Sequence, residues 1–107
     1  VCINTGGEKV FAEEVEQALK RHPAVYDVVV AGVPDPRWGE SVTAVVALRP
    51  GATVDPETLK ATAAEVLARY KLPKIIVFVD AVVRAPSGKP DYRWAKATAA
   101  AAASATK

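Results

Sequence analysis

A chain of 107 residues, half of them apolar, can bury one hydrophobic core and form one compact domain, so two domains are out of reach. Its 14 basic and 12 acidic side chains are interspersed along the sequence, which excludes the basic block expected of a nucleic-acid binder. Cys2 is the one cysteine and His22 the one histidine, so neither a disulfide framework nor a recognisable zinc or other metal site is expected, and the composition fits a reducing cytoplasm.

No apolar run approaches the roughly 20 residues that cross a bilayer, and the N-terminus lacks the charged start and apolar stretch of a signal peptide. The start at Val1-Cys2-Ile3, without an initiating Met, leads us to expect a piece of something longer. Val1 to Thr5 reads as extended chain, broken by Gly6-Gly7, a pair that suits a turn or a place where a ligand passes bare backbone. From Phe11 the spacing becomes helical, with Phe11, Val15, Ala18 and Leu19 on one stripe. Acidic Glu13, Glu14 and Glu16 at its start and basic Lys20 and Arg21 at its end complement the helix dipole, and Pro23 stops it. His22 is expected to be a polar cap there. Ala24 to Val33, rich in valine, predicts a central strand.

Val33 to Glu40, with two prolines and one glycine, predicts a defined surface loop. Trp38 within it either covers the core or offers a flat face for stacking. Val42 to Leu48 predicts a second buried strand, antiparallel to the first because the connection is short. Asp55-Pro56 is a helix start with Asp as N-cap and Pro at the first helical position, and Leu59, Ala63, Val66, Leu67 and Tyr70 supply the expected apolar face. Leu72-Pro73 ends it. Lys74 to Val79 predicts the third strand, and Asp80 to Ala85 leads, through a short edge strand, to Ala85-Pro86-Ser87-Gly88-Lys89. That loop presents an ammonium on a backbone shaped by Pro and Gly. It is no Walker phosphate loop, because Val83 and Pro90 stand where that pattern needs Gly and Ser or Thr. A last helix is expected from Asp91 through Trp94 toward Ala97. The alanine-rich residues 98–107 show no apolar stripe and are expected to fray. The order predicts an α+β domain over residues 1–97, a small three-stranded sheet with helices packed on it.

Four segments in order resemble one family. Thr5-Gly6-Gly7-Glu8-Lys9-Val10 leading into Glu13-Glu14-Val15-Glu16, Gly32-Val33-Pro34-Asp35 with Trp38-Gly39-Glu40, Tyr70-Lys71-Leu72-Pro73-Lys74, and Ser87-Gly88-Lys89 are similar to the mobile C-terminal domain of AMP-forming acyl-CoA synthetases, with fatty acyl-CoA ligases the nearest in kind. The resemblance covers about residues 3 to 97. It departs at Val83, where the family often has Pro, at Pro90, which follows the lysine in place of an aliphatic residue, and at Leu72, where some CoA ligases have Arg.

The resemblance implies a two-step activation of a carboxylic acid. ATP with Mg and the acid give an acyl-adenylate and pyrophosphate, and the thiol of CoA then displaces AMP. A large N-terminal domain, absent from this chain together with the hinge expected just before Val1, would bind ATP and the acid. Lys89 is implied as the lysine that reaches the carboxylate and α-phosphate during adenylation. One ammonium at ~4 Å from a negative charge contributes on the order of 4 kcal/mol at an effective dielectric of ~20. Gly6 and Gly7 are implied to line the pantetheine tunnel in the rotated domain, with Trp38 and Tyr70 beside the CoA nucleotide. Two alternatives stand beside this one: a free-standing α+β binding or dimerisation module, and an adenylating enzyme that serves a carrier protein.

Overall fold

The computed structural model describes residues 1–105. The elements run β1 (Cys2–Thr5), β2 (Glu8–Phe11), α1 (Ala12–Lys20), β3 (Val25–Asp35), β4 (Gly39–Leu48), α2 (Pro56–Ala64), a 3-10 turn (Arg69–Lys71), β5 (Ile75–Val79) and α3 (Tyr92–Ala105). The expected α+β class holds, but the sheet has five strands, not three. The two extra strands form a hairpin, β1 with β2, closed by Gly6 and Gly7 at φ 58° and 83°, with Thr5 opposite Glu8. Positive φ at both central residues is the primed turn whose twist matches that of the strands, which is why a glycine pair stands there. Phe11, expected inside the helix stripe, ends β2 and faces solvent; α1 begins one residue later, where the Ala12 N–H donates to the carbonyl of Val1.

β4 lies at the centre. Along one side it pairs antiparallel with β3, from Val25 opposite Leu48 to Asp35 opposite Gly39; along the other it pairs parallel with β5 and, at Gly39, antiparallel with Thr5 of β1. β3, expected as a central strand, is an edge strand of the sheet. Its valines are buried because helices cover both of its faces. Val28 and Val30, with Val42, Ala44 and Val46 of β4, pack against Val15 and Leu19 of α1 and Leu59 and Ala63 of α2. Val29, Ala31 and Val33 point the other way, toward Ala95 and Ala99 of α3. A strand covered on both faces loses its polar alternation, which accounts for the continuous valine run.

The expected loop over 33–40 is a tight turn between two strands that continue through its ends. Pro34 is tolerated in β3 because the N–H groups of Val28 and Val30, in the same row, point to the free edge, where the Asp27 and Glu16 carboxylates accept them at 2.9 Å each. Those carboxylates also blunt an edge that would otherwise invite strand addition. α2 starts as expected, with the Asp55 carboxylate accepting from the Thr58 N–H at 2.7 Å, but ends at Ala64. Val66 and Tyr70, expected on its buried face, are exposed. Asp80 to Ala85 contributes no strand, only the single bridge of Arg84 with Pro90. The alanines from 99 onward, expected to fray, continue α3 to Ala105, with Ala99 wholly buried against Val33 and Val45; Thr106 and Lys107 of that expected tail lie outside the described residues.

Glu16 of α1 is a buried carboxylate that accepts from the Val30 N–H and, at 3.2 Å, from the Tyr92 hydroxyl, so it ties α1, β3 and α3 together. Burial pushes its carboxyl above the ordinary value of 4.5. In the window from 4.5 up to that raised value the folded state holds more proton than the unfolded chain, so stability falls as the pH rises through it. Asp27 acts in the opposite sense and at lower pH: its stabilising contribution is lost as the pH falls through a value held below 3.8, chiefly by the hydrogen bond from Arg84. We expect Glu16→Gln to flatten the fall in stability as the pH rises above 4.5 in urea-unfolding curves. An unchanged slope would assign that titration to another group.

Candidate functional site

The fold collects three of the four residues expected near a coenzyme into one cleft. About 420 Å³ in volume, it is lined by Thr5, Gly6 and Glu8 of the hairpin, Trp38 of the β3–β4 turn, Arg69 and Tyr70 of the 3-10 turn, and Lys74 ahead of β5. Three segments distant in sequence meet here because β4 begins at Gly39, where Thr5 pairs with it, and the chain passes Lys74 to enter β5 beside it.

Each wall has a local cause. The turn carrying Trp38 is held by Asp35, whose carboxylate accepts from the N–H groups of Arg37 and Trp38 at 2.8 and 3.0 Å and from the Ser41 hydroxyl at 2.8 Å. Those bonds, with that of Ser41 first, keep the half-buried Asp35 carboxyl below its ordinary value. The hairpin is pinned to the turn by the Gly6 N–H, which donates to the Trp38 carbonyl at 2.8 Å, and by the Asn4 N–H, which donates to Glu40 at 3.0 Å. Gly6 is required twice over: its φ is positive, and a Cβ there would stand 3.0 Å from Cε3 of the indole. Gly7 is different. It is exposed at the hairpin tip, does not line the cleft, and a Cβ there would meet nothing within 4 Å, so its positive φ alone explains it.

Trp38 is 39% and Tyr70 46% exposed, which leaves ring surface open in the cleft rather than spent on the core. Lys74 Nζ stands 4.0 Å from the indole centroid and the Arg37 guanidinium 5.0 Å, so the ring is flanked by cations. Lys71 ties the 3-10 turn to α1 through Glu14 at 2.9 Å. Arg69, Lys74 and Arg37 were not singled out from the sequence. Lys74 was inside the Tyr70-to-Lys74 segment, but its closeness to Trp38 arises from strand pairing, which has no local signature.

Lys89 is elsewhere. Its loop is closed by the Gly88 N–H donating to Ala85 at 2.8 Å and the Ala85 N–H donating to the Lys89 carbonyl at 2.9 Å, with Gly88 at φ 88°. The side chain is exposed, and among the described residues no carboxylate pairs with its ammonium. Arg84 connects this loop to Asp27, opposite Ala47, whereas the cleft lies at Gly39. Eight steps along β4, from Gly39 to Ala47, separate those ends, about 27 Å at ~3.4 Å each. His22 was expected as a polar cap of α1; instead its Nδ1 accepts from the Ala24 N–H at 3.0 Å in the turn from α1 into β3, and backbone N–H groups meet the carbonyls of Ala18 and Leu19.

The medium-chain acyl-CoA ligase Mig of Mycobacterium avium is 65% identical over 96 residues, covering 90% of this chain and 18% of that protein. A 3-oxocholest-4-en-26-oate–CoA ligase of Rhodococcus rhodochrous is 60% identical over 96 residues, 90% of this chain and 17% of that protein. Among solved structures, a Mycobacterium tuberculosis fatty acyl CoA synthetase superposes with a TM-score of 0.86 at 35% identity, covering 94% of this chain and 20% of that one. The chain spans about a fifth of the length of these relatives. Residues 14–89, from the first turn of α1 to the loop lysine, match the family described as the AMP-binding enzyme C-terminal domain, and the chain belongs to that family.

Proposed function

We propose that this domain serves an ATP-dependent, AMP-forming ligase that joins a fatty or related carboxylic acid to CoA, and that it supplies a different end of its sheet to each half-reaction. The observation that carries the proposal is the union of Gly6, Trp38 and Tyr70 in one cleft, at the opposite end of β4 from the loop of Lys89. Lys89 would meet the carboxylate and α-phosphate as the adenylate forms. An exposed ammonium on a hydrogen-bonded loop suits that part, since negative charge gathers on the transferring group in the transition state. Gly6 would admit the pantetheine arm, while Trp38 and Tyr70 take the nucleotide of CoA; Gly7, outside the cleft, is left with the turn alone.

The cations around Trp38 favour CoA over a carrier-protein arm as the acceptor. A ring stacking on the indole displaces Lys74 or Arg37 from its face, and the released cation, with Arg69, can then meet the phosphates that CoA's nucleotide carries. Membership of the family favours the ligase reading over a free-standing binding module. In this reading ATP brings its own Mg as substrate; among the described residues no three His, Cys, Asp or Glu side chains are grouped to hold a metal. The partner would be an N-terminal ATP- and acid-binding domain of the same protein, working in the cytoplasm. Among the described residues, no helix is long and apolar enough to cross a membrane.

The test uses the complete protein alongside residues 1–107. The complete protein should release pyrophosphate in response to a fatty acid and form a thioester when CoA is added, while residues 1–107 unfold cooperatively but do neither. Pyrophosphate exchange by residues 1–107 alone, or a complete protein without acid-dependent exchange, would overturn the proposal.

A further inference from the structure

The loop of Lys89 is held by one side chain that belongs neither to the cleft nor to the core. Arg84 Nε donates to Asp27 Oδ2 at 2.8 Å and its Nη2 to Oδ1, a two-pronged pairing with a carboxylate on β3. Its third donor, Nη1, reaches the carbonyl of Gly88 at 3.1 Å, directly before Lys89. Arg84 also pairs through its backbone with Pro90, directly after Lys89. Arg84 thus ties both flanks of the lysine, one through its guanidinium and one through its backbone, to Asp27 on β3.

The pairing is charge-assisted and partly shielded. Asp27 is only 16% exposed at its side chain and Arg84 29%, and Lys20 approaches the same carboxylate at 3.7 Å. The hydrogen bond from Arg84 holds the Asp27 carboxyl below its ordinary value, in keeping with a carboxylate that stays ionised. A lysine at position 84 could meet Asp27 or Gly88 but lacks the planar fork that meets both.

We propose that Arg84 is a positioning residue for Lys89: clamped to Asp27 on β3, its guanidinium fixes the Gly88 carbonyl and so aims the lysine during adenylation. This rests on the reading of Lys89 given above. An ammonium on a long flexible stem contributes fully only if its Cα is fixed, and a displacement near 1 Å at a reacting group can cost on the order of 100-fold.

The experiment compares Arg84→Gln, Arg84→Lys, Asp27→Asn and Lys89→Ala in the complete enzyme. Adenylate formation and thioester formation from supplied acyl-adenylate are measured separately, with Tm for each variant. Arg84→Gln should slow adenylate formation roughly 10- to 100-fold and leave thioester formation within about twofold. Arg84→Lys should recover Tm more fully than adenylation, and Asp27→Asn should slow the same step as Arg84→Gln. Equal losses in both steps that follow Tm would show a merely structural ion pair. If Lys89→Ala slows adenylation and none of the Arg84 and Asp27 variants does, the positioning role is overturned and the part of Lys89 stands. If Lys89→Ala leaves adenylation intact, the reading of Lys89 falls first and the clamp falls with it. A Gln variant too unstable to assay leaves Arg84→Lys and Asp27→Asn to decide, by the same split between steps.

Discussion

Replacing Lys89 with alanine in the complete protein should, on the proposed function, slow adenylate formation at least ~100-fold, equal to about 2.7 kcal/mol of lost transition-state stabilisation. The expectation follows from geometry as much as from charge. The ammonium is exposed and has no carboxylate partner among the described residues, so no internal salt bridge competes for it. Its loop is fixed by two backbone hydrogen bonds and by Arg84, which limits what ordering the side chain costs on binding. Because the loop and the cleft occupy opposite ends of β4, removing the charge should leave thioester formation from supplied adenylate within a few-fold of normal. A kinetic experiment that follows pyrophosphate release and thioester formation separately checks both halves of the expectation.

Trp38→Ala should have the second large effect, raising the KM for CoA about tenfold or more while adenylation stays intact. Stacking of a base on an aromatic platform contributes ~1 to 3 kcal/mol, and the indole also holds two cations where phosphates would arrive. Tyr70→Ala should move the same constant in the same direction by less, since among the described residues a single cation, Lys71, stands over its ring, at 5.8 Å. Neither ring fills the core, so Tm should change little. An unaltered KM for CoA in both variants would take the coenzyme away from this cleft.

The class of the fold was legible because its core is written in residues with strong local signals. The valines of β3 and β4, the Asp55-Pro56 start of α2 and the proline that follows α1 all appear where their chemistry requires. The missed strand β2 buries only Val10 of its four residues, too few to show alternation, and Phe11 next to it imitated the first position of a helix stripe. α3 was underestimated for a different reason. Its C-terminal half is nearly all alanine, so the buried Ala99 cannot be told from its exposed neighbours by hydrophobicity, although a small side chain is what lets a helix lie close on the sheet.

The site divides along similar lines. Gly6, Trp38 and Tyr70 were found through resemblance, and strand pairing brings them together. Tyr70 reaches the cleft because α2 stops at Ala64 and the chain turns outward at Ala68, extended at ψ 150°, which apolar spacing alone assigned to a continuous helix. Lys74 and Arg84 carried no distinguishing signal. One acts across a strand order and the other through Asp27, 57 residues away in sequence, and neither relation has a local pattern.

The most direct measurement of the central claim, that opposite ends of one sheet serve opposite half-reactions, is to determine both half-reaction rates for Lys89→Ala and Trp38→Ala in the same complete enzyme. The account predicts a crossed result: Lys89→Ala loses adenylation and keeps thioester formation, while Trp38→Ala keeps adenylation and loses thioester formation at low CoA. Parallel losses in both steps for both variants would contradict it.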